Sequence, residues 1–277
     1  MGNGATDWNY DADIAYPEVF ANFNVIPVSL YDQYIEFDCK SYWGDVQKVK
    51  NAPECEAINT QIETLTKDLN IYDMFRKKYD VKLGGAILEQ PKVDRIGKVM
   101  VHGEEKTYTR GYTAKEYTPW AKMLKSMPEE NLKVSGDFVS DYVNSQELRD
   151  ALHIPTAMPG WHNCNNNVTN NYFTYLEGSI WIYPILKAYG YKMMHYSGDT
   201  DGAVPTIGTR RWIDKLNFDI TNGWRQWIID GNVAGFIIDY ANFVFVTVHG
   251  VGHMAPQWKR KEVTQLITNY IHDKPIA

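Results

Sequence analysis

Two stretches offer chemistry, and in both an apolar run ends among glycines and ionisable side chains. YSGDTDGAVP (196–205) follows the run YKMMHY and carries Asp199 and Asp201, while FVFVTVHGVGHMAP (243–256) carries His249 and His253. Glycines let a backbone turn sharply at a strand end, so a side chain there can be presented rather than packed. A carboxylate accepting the imidazole Nδ1–H fixes the ring's tautomer and stabilises the imidazolium formed when the ring takes a proton from a hydroxyl nucleophile. That is the chemistry expected of Asp201 with His253. The pattern G-x-x-D-x-x-V-P fits Gly198, Asp201, Val204 and Pro205, which assigns the acid to Asp201 and leaves Asp199 to hydrogen-bond the turn. Asp199 remains the alternative acid, and for either aspartate the plainer reading is a turn cap. His102, His153, His162, His195, His249 and His272 are read as surface or packing residues. His253 stands apart because glycines precede it and an apolar strand lies behind them.

Groups of this kind need strands and helices to hold them. SQELRDALHI opens with a possible cap, Ser145, and sets Leu148, Ala151 and Leu152 on one helical face. IWIYPILKAYGY predicts a helix closed by Gly190, and KMMHYS a buried strand. WRQWIID, AGFIIDY and FVFVTVHG are three further β-rich runs separated by GN and AN turns. RKEVTQLITNYIHD then places Val263, Leu266, Ile267, Tyr270 and Ile271 as a helical stripe. Strand, turn and helix alternate, which predicts an α/β sheet with its chemistry at the carboxyl ends of strands. Further upstream, residues 56–80 carry Ile58, Ile62, Leu65, Leu69 and Ile71 at helical intervals, and 98–113 alternate around a His-Gly pair like a hairpin. This middle third reads as an insertion or lid.

Bulk properties narrow what the site acts on. The 277 residues can bury a full core, as one large domain or one domain with an insertion. A net charge of -6, with both signs interspersed, provides no basic face for nucleic acid. No apolar run approaches the roughly 20 residues that span a bilayer, so a soluble chain is expected. Neither H-E-x-x-H nor clustered Cys/His occurs, so no metal or other cofactor is expected. The opening MGNGAT fits a short myristoylation pattern (Gly2, Thr6) that matches often by chance. Asn167-Val168-Thr169, in the Asn-rich loop 163–171, is the chain's only N-glycosylation sequon and suits a surface loop of a secreted protein. Three cysteines, Cys39, Cys55 and Cys164, are an odd count that calls for an explanation.

These segments resemble the serine carboxypeptidase family, peptidase family S10. YSGDTDGAVP resembles its acid motif, HGVGHMAP its histidine motif, and LRDALHI with W-x-x-C (Trp161, Cys164) the segment before them. VAGFIIDYANFVFVTV is similar to the family's hairpin into the last strand, KRKEVTQLITNYIHDKPIA to its final helix, and GNGATDW (2–8) to its G-N-x-x-x-D element. The resemblance implies an α/β-hydrolase fold with a partial sheet and a helical and hairpin lid. Residues 1–28 would start the core, 29–140 form the lid, and 141–277 the C-terminal part of the core. Asp before His agrees with the chain order Ser, Asp/Glu, His of that fold. The implied reaction is hydrolysis of the last peptide bond at a peptide or protein C-terminus, with Asp201 orienting His253. Met254 would line the pocket for the substrate's C-terminal side chain, an ordinary packing methionine being the alternative. Cys39 and Cys55, near in sequence, would bridge within the lid as the family's insertion often does. A secreted or lysosomal/vacuolar location is inferred from the family.

The same resemblance implies a G-E-S-Y-A-G segment with the nucleophile ahead of the G-N-x-x-x-D element, and a G-G-P-G-C-S-S segment whose cysteine would pair with Cys164. No serine of this sequence sits in G-x-S-x-G. The expectation is a fragment, inactive alone, that holds the acid and the base, the alternative being a real short product that has lost the nucleophile; any export signal would lie ahead of the fragment. A carboxypeptidase-like acyltransferase shares these motifs, and a non-catalytic binding protein on the same fold is the alternative from another class.

Overall fold

Both motif loops grow from one four-stranded sheet. Its strands are β3 (Met193–Gly198), β4 (Ile220–Ile229), β5 (Asn232–Tyr240) and β6 (Phe243–Val248), in the order β3-β6-β5-β4. The computed structural model describes residues 1–40, 52–76, 96–101, 104–109, 138–162, 165, 168, 171 and 178–276. Two compact units are present, Met1–Lys78 with Tyr175–Ala277, and Tyr79–Thr174.

In the first unit β3 and β6 are parallel, and Ser197 and Gly198 lie opposite Thr247 and Val248. The two strands therefore end level, and the loops after them leave side by side. β5 runs antiparallel to β6 and β4 antiparallel to β5. The β4–β5 link is the two-residue turn Asp230-Gly231, both at positive φ, the conformation that matches strand twist in a tight hairpin. β6 is buried along nearly its whole length, whereas β4, the edge strand, is largely exposed and its pairing is interrupted by register shifts. Such irregularity blunts an edge against further pairing. Residues 1–3 add to the other edge of β3, with the Tyr196 N–H bonded to the Met1 carbonyl and the Asn3 N–H to the Tyr196 carbonyl, 2.9 Å each.

Alternation along β6 feeds two cores. Phe243 and Phe245 pack with Trp212 and Ile213 of α7 (Thr206–Lys215) and with Tyr183 of α6 (Ile182–Ala188). Val246 and Val248 pack with Val263 and Leu266 of α9 (Arg260–Ile271). Helices thus cover both faces, and α8 (Ala255–Trp258) joins the histidine loop to α9. A third core gathers α1 (Tyr16–Asn22), α2 (Val28–Glu36) and α3 (Ala52–Thr66) around Leu30, Tyr34, Ile58 and Ile62. There the Cys39–Cys55 disulfide closes.

The stripe expected over 56–80 stops being helical at Thr66. Beyond it the Asn70 side chain accepts the Tyr72 N–H at 3.1 Å and the Asp73 side chain the Phe75 N–H at 3.1 Å, local bonds that compete with helix. Residues 69–76 are consequently a run of turns.

In the second unit β1 (Ile96–Val101) and β2 (Glu104–Thr109) form an antiparallel hairpin with Val101 opposite Glu104. α4 (Phe138–Val143) and α5 (Gln146–Ala151) follow, and Ser145 caps α5 by accepting the Leu148 N–H. The face of Leu148, Ala151 and Leu152 is not buried. His102, Cys164 and Asn167 lie outside the described residues.

Candidate active site

The level ends of β3 and β6 let consecutive residues of one loop reach successive points on the other. Asp199 accepts from His249 Nδ1 at 2.6 Å and from the Gly250 N–H at 2.8 Å. The Thr200 N–H donates to the Val251 carbonyl at 3.1 Å. Asp201 Oδ2 accepts from His253 Nδ1 at 2.8 Å. A Cβ on Gly198 would collide with the Val251 and Gly252 carbonyls, so only glycine permits this approach.

The Asp201 side chain has no exposed surface. Its Oδ1 accepts the N–H groups of Ala203 at 2.7 Å and Val204 at 3.0 Å, and its Oδ2 is shared by His253 Nδ1 and Asn3 Nδ2, each at 2.8 Å. Four donors around a covered carboxylate fix its plane. The His253 side chain keeps 29% of its surface, so access to the pair is from the imidazole side. Burial pulls the His253 pKa down, but the hydrogen bond and charge of Asp201 more than reverse this, and the net shift is upward. With Nδ1–H given to a carboxylate, Nε2 is the nitrogen left to exchange a proton with a nucleophile.

The turn segment 69–76 braces this arrangement. The His253 N–H donates to the Tyr72 carbonyl at 2.6 Å, and the Tyr72 ring meets the imidazole edge-on with centroids 5.3 Å apart. The Gly202 N–H reaches the Ile71 carbonyl at 2.8 Å, and the Met74 N–H reaches the Thr200 carbonyl at 3.1 Å. Gly252 faces the Tyr72 carbonyl so closely that a Cβ would overlap it. Asp73, buried, contacts both loops through Thr200 and Gly252.

Of the residues singled out in the sequence, Asp201 and His253 are brought into contact, and Asp199 holds the turn after β6. His249, read as a surface residue, is exposed yet pairs with Asp199. His195 is fully buried among aromatic rings. Met254 follows His253 at the start of α8 and is half-buried. Asn3, Tyr72, Thr200 and Asp73 were not singled out. The G-N-x-x-x-D element pointed at Asn3 without a role, and Asp73 was hidden in an apparent helix. A cleft of about 500 Å³, with Asp199, Arg210, Trp224 and Phe236 in its wall, is lined by neither Asp201 nor His253.

Comparison with known proteins identifies the family. The profile of the peptidase S10 family, serine carboxypeptidase, matches residues 1–273, and the chain belongs to that family. It is 26% identical over 290 residues to serine carboxypeptidase 1 of Hordeum vulgare, covering 98% of this chain and 55% of that protein. To serine carboxypeptidase-like 20 of Arabidopsis thaliana it is 24% identical over 296 residues, covering 100% and 56%. Over 142 residues, 50% of this chain and 30% of that protein, it is 32% identical to serine carboxypeptidase-like 26 of Oryza sativa subsp. japonica. The crystal structure of a prohormone-processing carboxypeptidase from Saccharomyces cerevisiae superposes with a TM-score of 0.59 at 19% identity, over 98% of this chain and 53% of that one. The fold is that of an α/β hydrolase, seen here with a partial sheet. The chain spans about half the length of the relatives it matches end to end.

Proposed function

We propose that the chain carries the acid and base of a serine-type carboxypeptidase, Asp201 and His253, acting with a serine supplied from outside the described residues. The observation that carries this reading is the 2.8 Å bond between a covered carboxylate and a partly open imidazole. His253 Nε2 takes the serine proton as the serine oxygen bonds to the carbonyl carbon of the last peptide bond. It returns that proton to the departing amine as the C–N bond breaks, and water then releases the acyl group by the same route. Asp201 holds the tautomer and balances the imidazolium charge. Membership of the family supports peptide or protein C-termini as substrates. Met254, next to the base, is proposed to line the pocket for the C-terminal side chain. The Cys39–Cys55 bridge supports a secreted or lysosomal/vacuolar compartment, with Asn167 as glycan acceptor. The division into core start (1–28), lid (29–140) and C-terminal core (141–277) belongs to the same proposal.

Among the described residues no serine hydroxyl bonds to His253, and the chain alone is proposed to be inactive. The test uses a blocked dipeptide with a free C-terminus and an alcohol acceptor, with the chain alone and combined with the serine-bearing segment of the Hordeum vulgare relative. The expected result is release of the C-terminal amino acid only in the combination, lost in His253→Ala. Transfer of the acyl group to the alcohol instead of water would make the protein an acyltransferase. Turnover by the isolated chain that His253→Ala abolishes would overturn the claim of inactivity, and binding without turnover in both preparations would overturn the enzyme reading.

A further inference from the structure

The Asp73 carboxylate is 2% exposed and surrounded by four donors. Two belong to its own segment, the Phe75 N–H at 3.1 Å on Oδ1 and Arg76 Nε at 3.0 Å on Oδ2. The other two come from the two motif loops, the Thr200 hydroxyl at 2.9 Å on Oδ1 and the Gly252 N–H at 3.2 Å on Oδ2. Thr200 immediately precedes Asp201, and Gly252 immediately precedes His253. One buried carboxylate therefore grips each loop one residue before its member of the pair.

We propose that Asp73 is a positioning residue that sets the separation of the two loops so that Asp201 Oδ2 meets His253 Nδ1. The proposal rests on the reading of Asp201 and His253 as acid and base. Main-chain bonds from residues 71, 72 and 74 hold the segment alongside the loops, but each joins one loop to one residue. The Asp73 side chain joins both at once. Its charge is met by Arg76, whose guanidinium also lies 4.4 Å from the Trp258 ring centroid. Asp201 is the charged group that acts on the His253 proton, and the Tyr72 ring meets the imidazole edge-on. Asp73 thus works through distance and orientation rather than through its field.

The experiment is an NMR titration of the imidazole nitrogens in the 277-residue chain, comparing the unmodified protein with Thr200→Val and Asp73→Asn. Thr200→Val removes one donor, keeps the side-chain shape and changes no charge. Asp73→Asn leaves one acceptor oxygen where two stood, so the donors on one side of the carboxylate meet an amide NH₂ instead. Both variants are expected to lower the His253 midpoint by about half a unit or more, a roughly threefold loss of proton affinity, and to weaken the downfield Nδ1–H signal. If Asp73→Asn does not fold, Thr200→Val alone decides. Folded Thr200→Val with His253 midpoint and Nδ1–H signal unchanged would reduce Asp73 to ordinary loop packing. Should the unmodified chain lack an Asp201-bonded Nδ1 proton, the acid–base reading itself falls, an outcome visible before any variant is made.

Discussion

Two carboxylate–imidazole pairs stand at the same end of the sheet, Asp199 with His249 and Asp201 with His253. Their bond lengths are alike, 2.6 and 2.8 Å. Their surroundings are not. The outer pair has side chains 60% and 27% exposed and its carboxylate takes two donors, whereas the inner pair is 29% and 0% exposed and its carboxylate takes four. On the proposed reading, an imidazole bonded to a carboxylate is therefore not by itself a catalytic device. Exclusion of water on the carboxylate side, and a carboxylate that cannot rotate, separate the pair able to hold a tautomer from the pair that ties down a turn.

The sharpest way to break this comparison is to neutralise each carboxylate in turn in the complemented enzyme. Asp201→Asn keeps the shape but leaves the amide free to favour the wrong imidazole tautomer, and the turnover number is expected to fall by about 10⁴-fold. Asp199→Asn is expected to cost less than about tenfold, since solvent already competes for that bond. Turnover numbers on the blocked dipeptide measure both. Equal losses would mean that the outer pair shares the proton chemistry.

A third imidazole sharpens the contrast by having no carboxylate. His195 is fully buried, its Nδ1 lies 3.3 Å from the Tyr183 hydroxyl, and burial, helped by the nearby N-terminal amine, holds its pKa down at about 3. The unfolded chain binds a proton there below about pH 6.5 while the folded chain does not, so stability from this group is present above that pH and lost as pH falls. His253 has the opposite sign: its upward shift contributes stability at low pH that is lost as pH rises through its folded pKa. Buried Asp11, pushed up to about 7 mainly by burial, has that sign too and offsets His195 between about pH 4 and 6.5. His195→Phe should therefore gain on the unmodified chain by about 1.4 kcal/mol per unit of acidification below pH 6.5. Urea midpoints at several pH values read this difference, and a pH-independent difference would show that His195 binds its proton alike in the folded and unfolded chain.

The strands and the last helix were legible because each is an apolar run bounded by turn residues; the glycines read as turn formers, whereas Gly198 and Gly252 also prove to be where backbones come close. The motif pattern assigned Asp201 to the histidine and Asp199 to the turn, and in the structure each aspartate binds a histidine. The level ends of β3 and β6 were not legible, since parallel register across some 50 residues is decided by packing that no local pattern encodes. Asn3 was missed as a partner of Asp201 because the contact spans 198 positions. Asp73 was missed because Leu69 and Ile71 extend a helical spacing that the Asn70 and Asp73 side chains interrupt. Apolar spacing reports what a segment can do alone, and here side-chain bonds to nearby backbone and to distant loops decided otherwise.

The smallest expected effect tests the outer pair directly. His249→Ala removes an exposed partner, and a surface ion pair of this kind contributes about 1 kcal/mol or less. The Asp199 carboxylate would still accept the Gly250 N–H at 2.8 Å, so the turn after β6 keeps its shape. Denaturant midpoints of the variant and the unmodified chain should therefore nearly coincide. The His253 titration should stay in place, because Thr200, Gly252 and Tyr72 hold that loop independently of His249. A His253 midpoint that moved with His249→Ala would mean the outer pair helps to set the inner one, and the two could no longer be treated as separate devices.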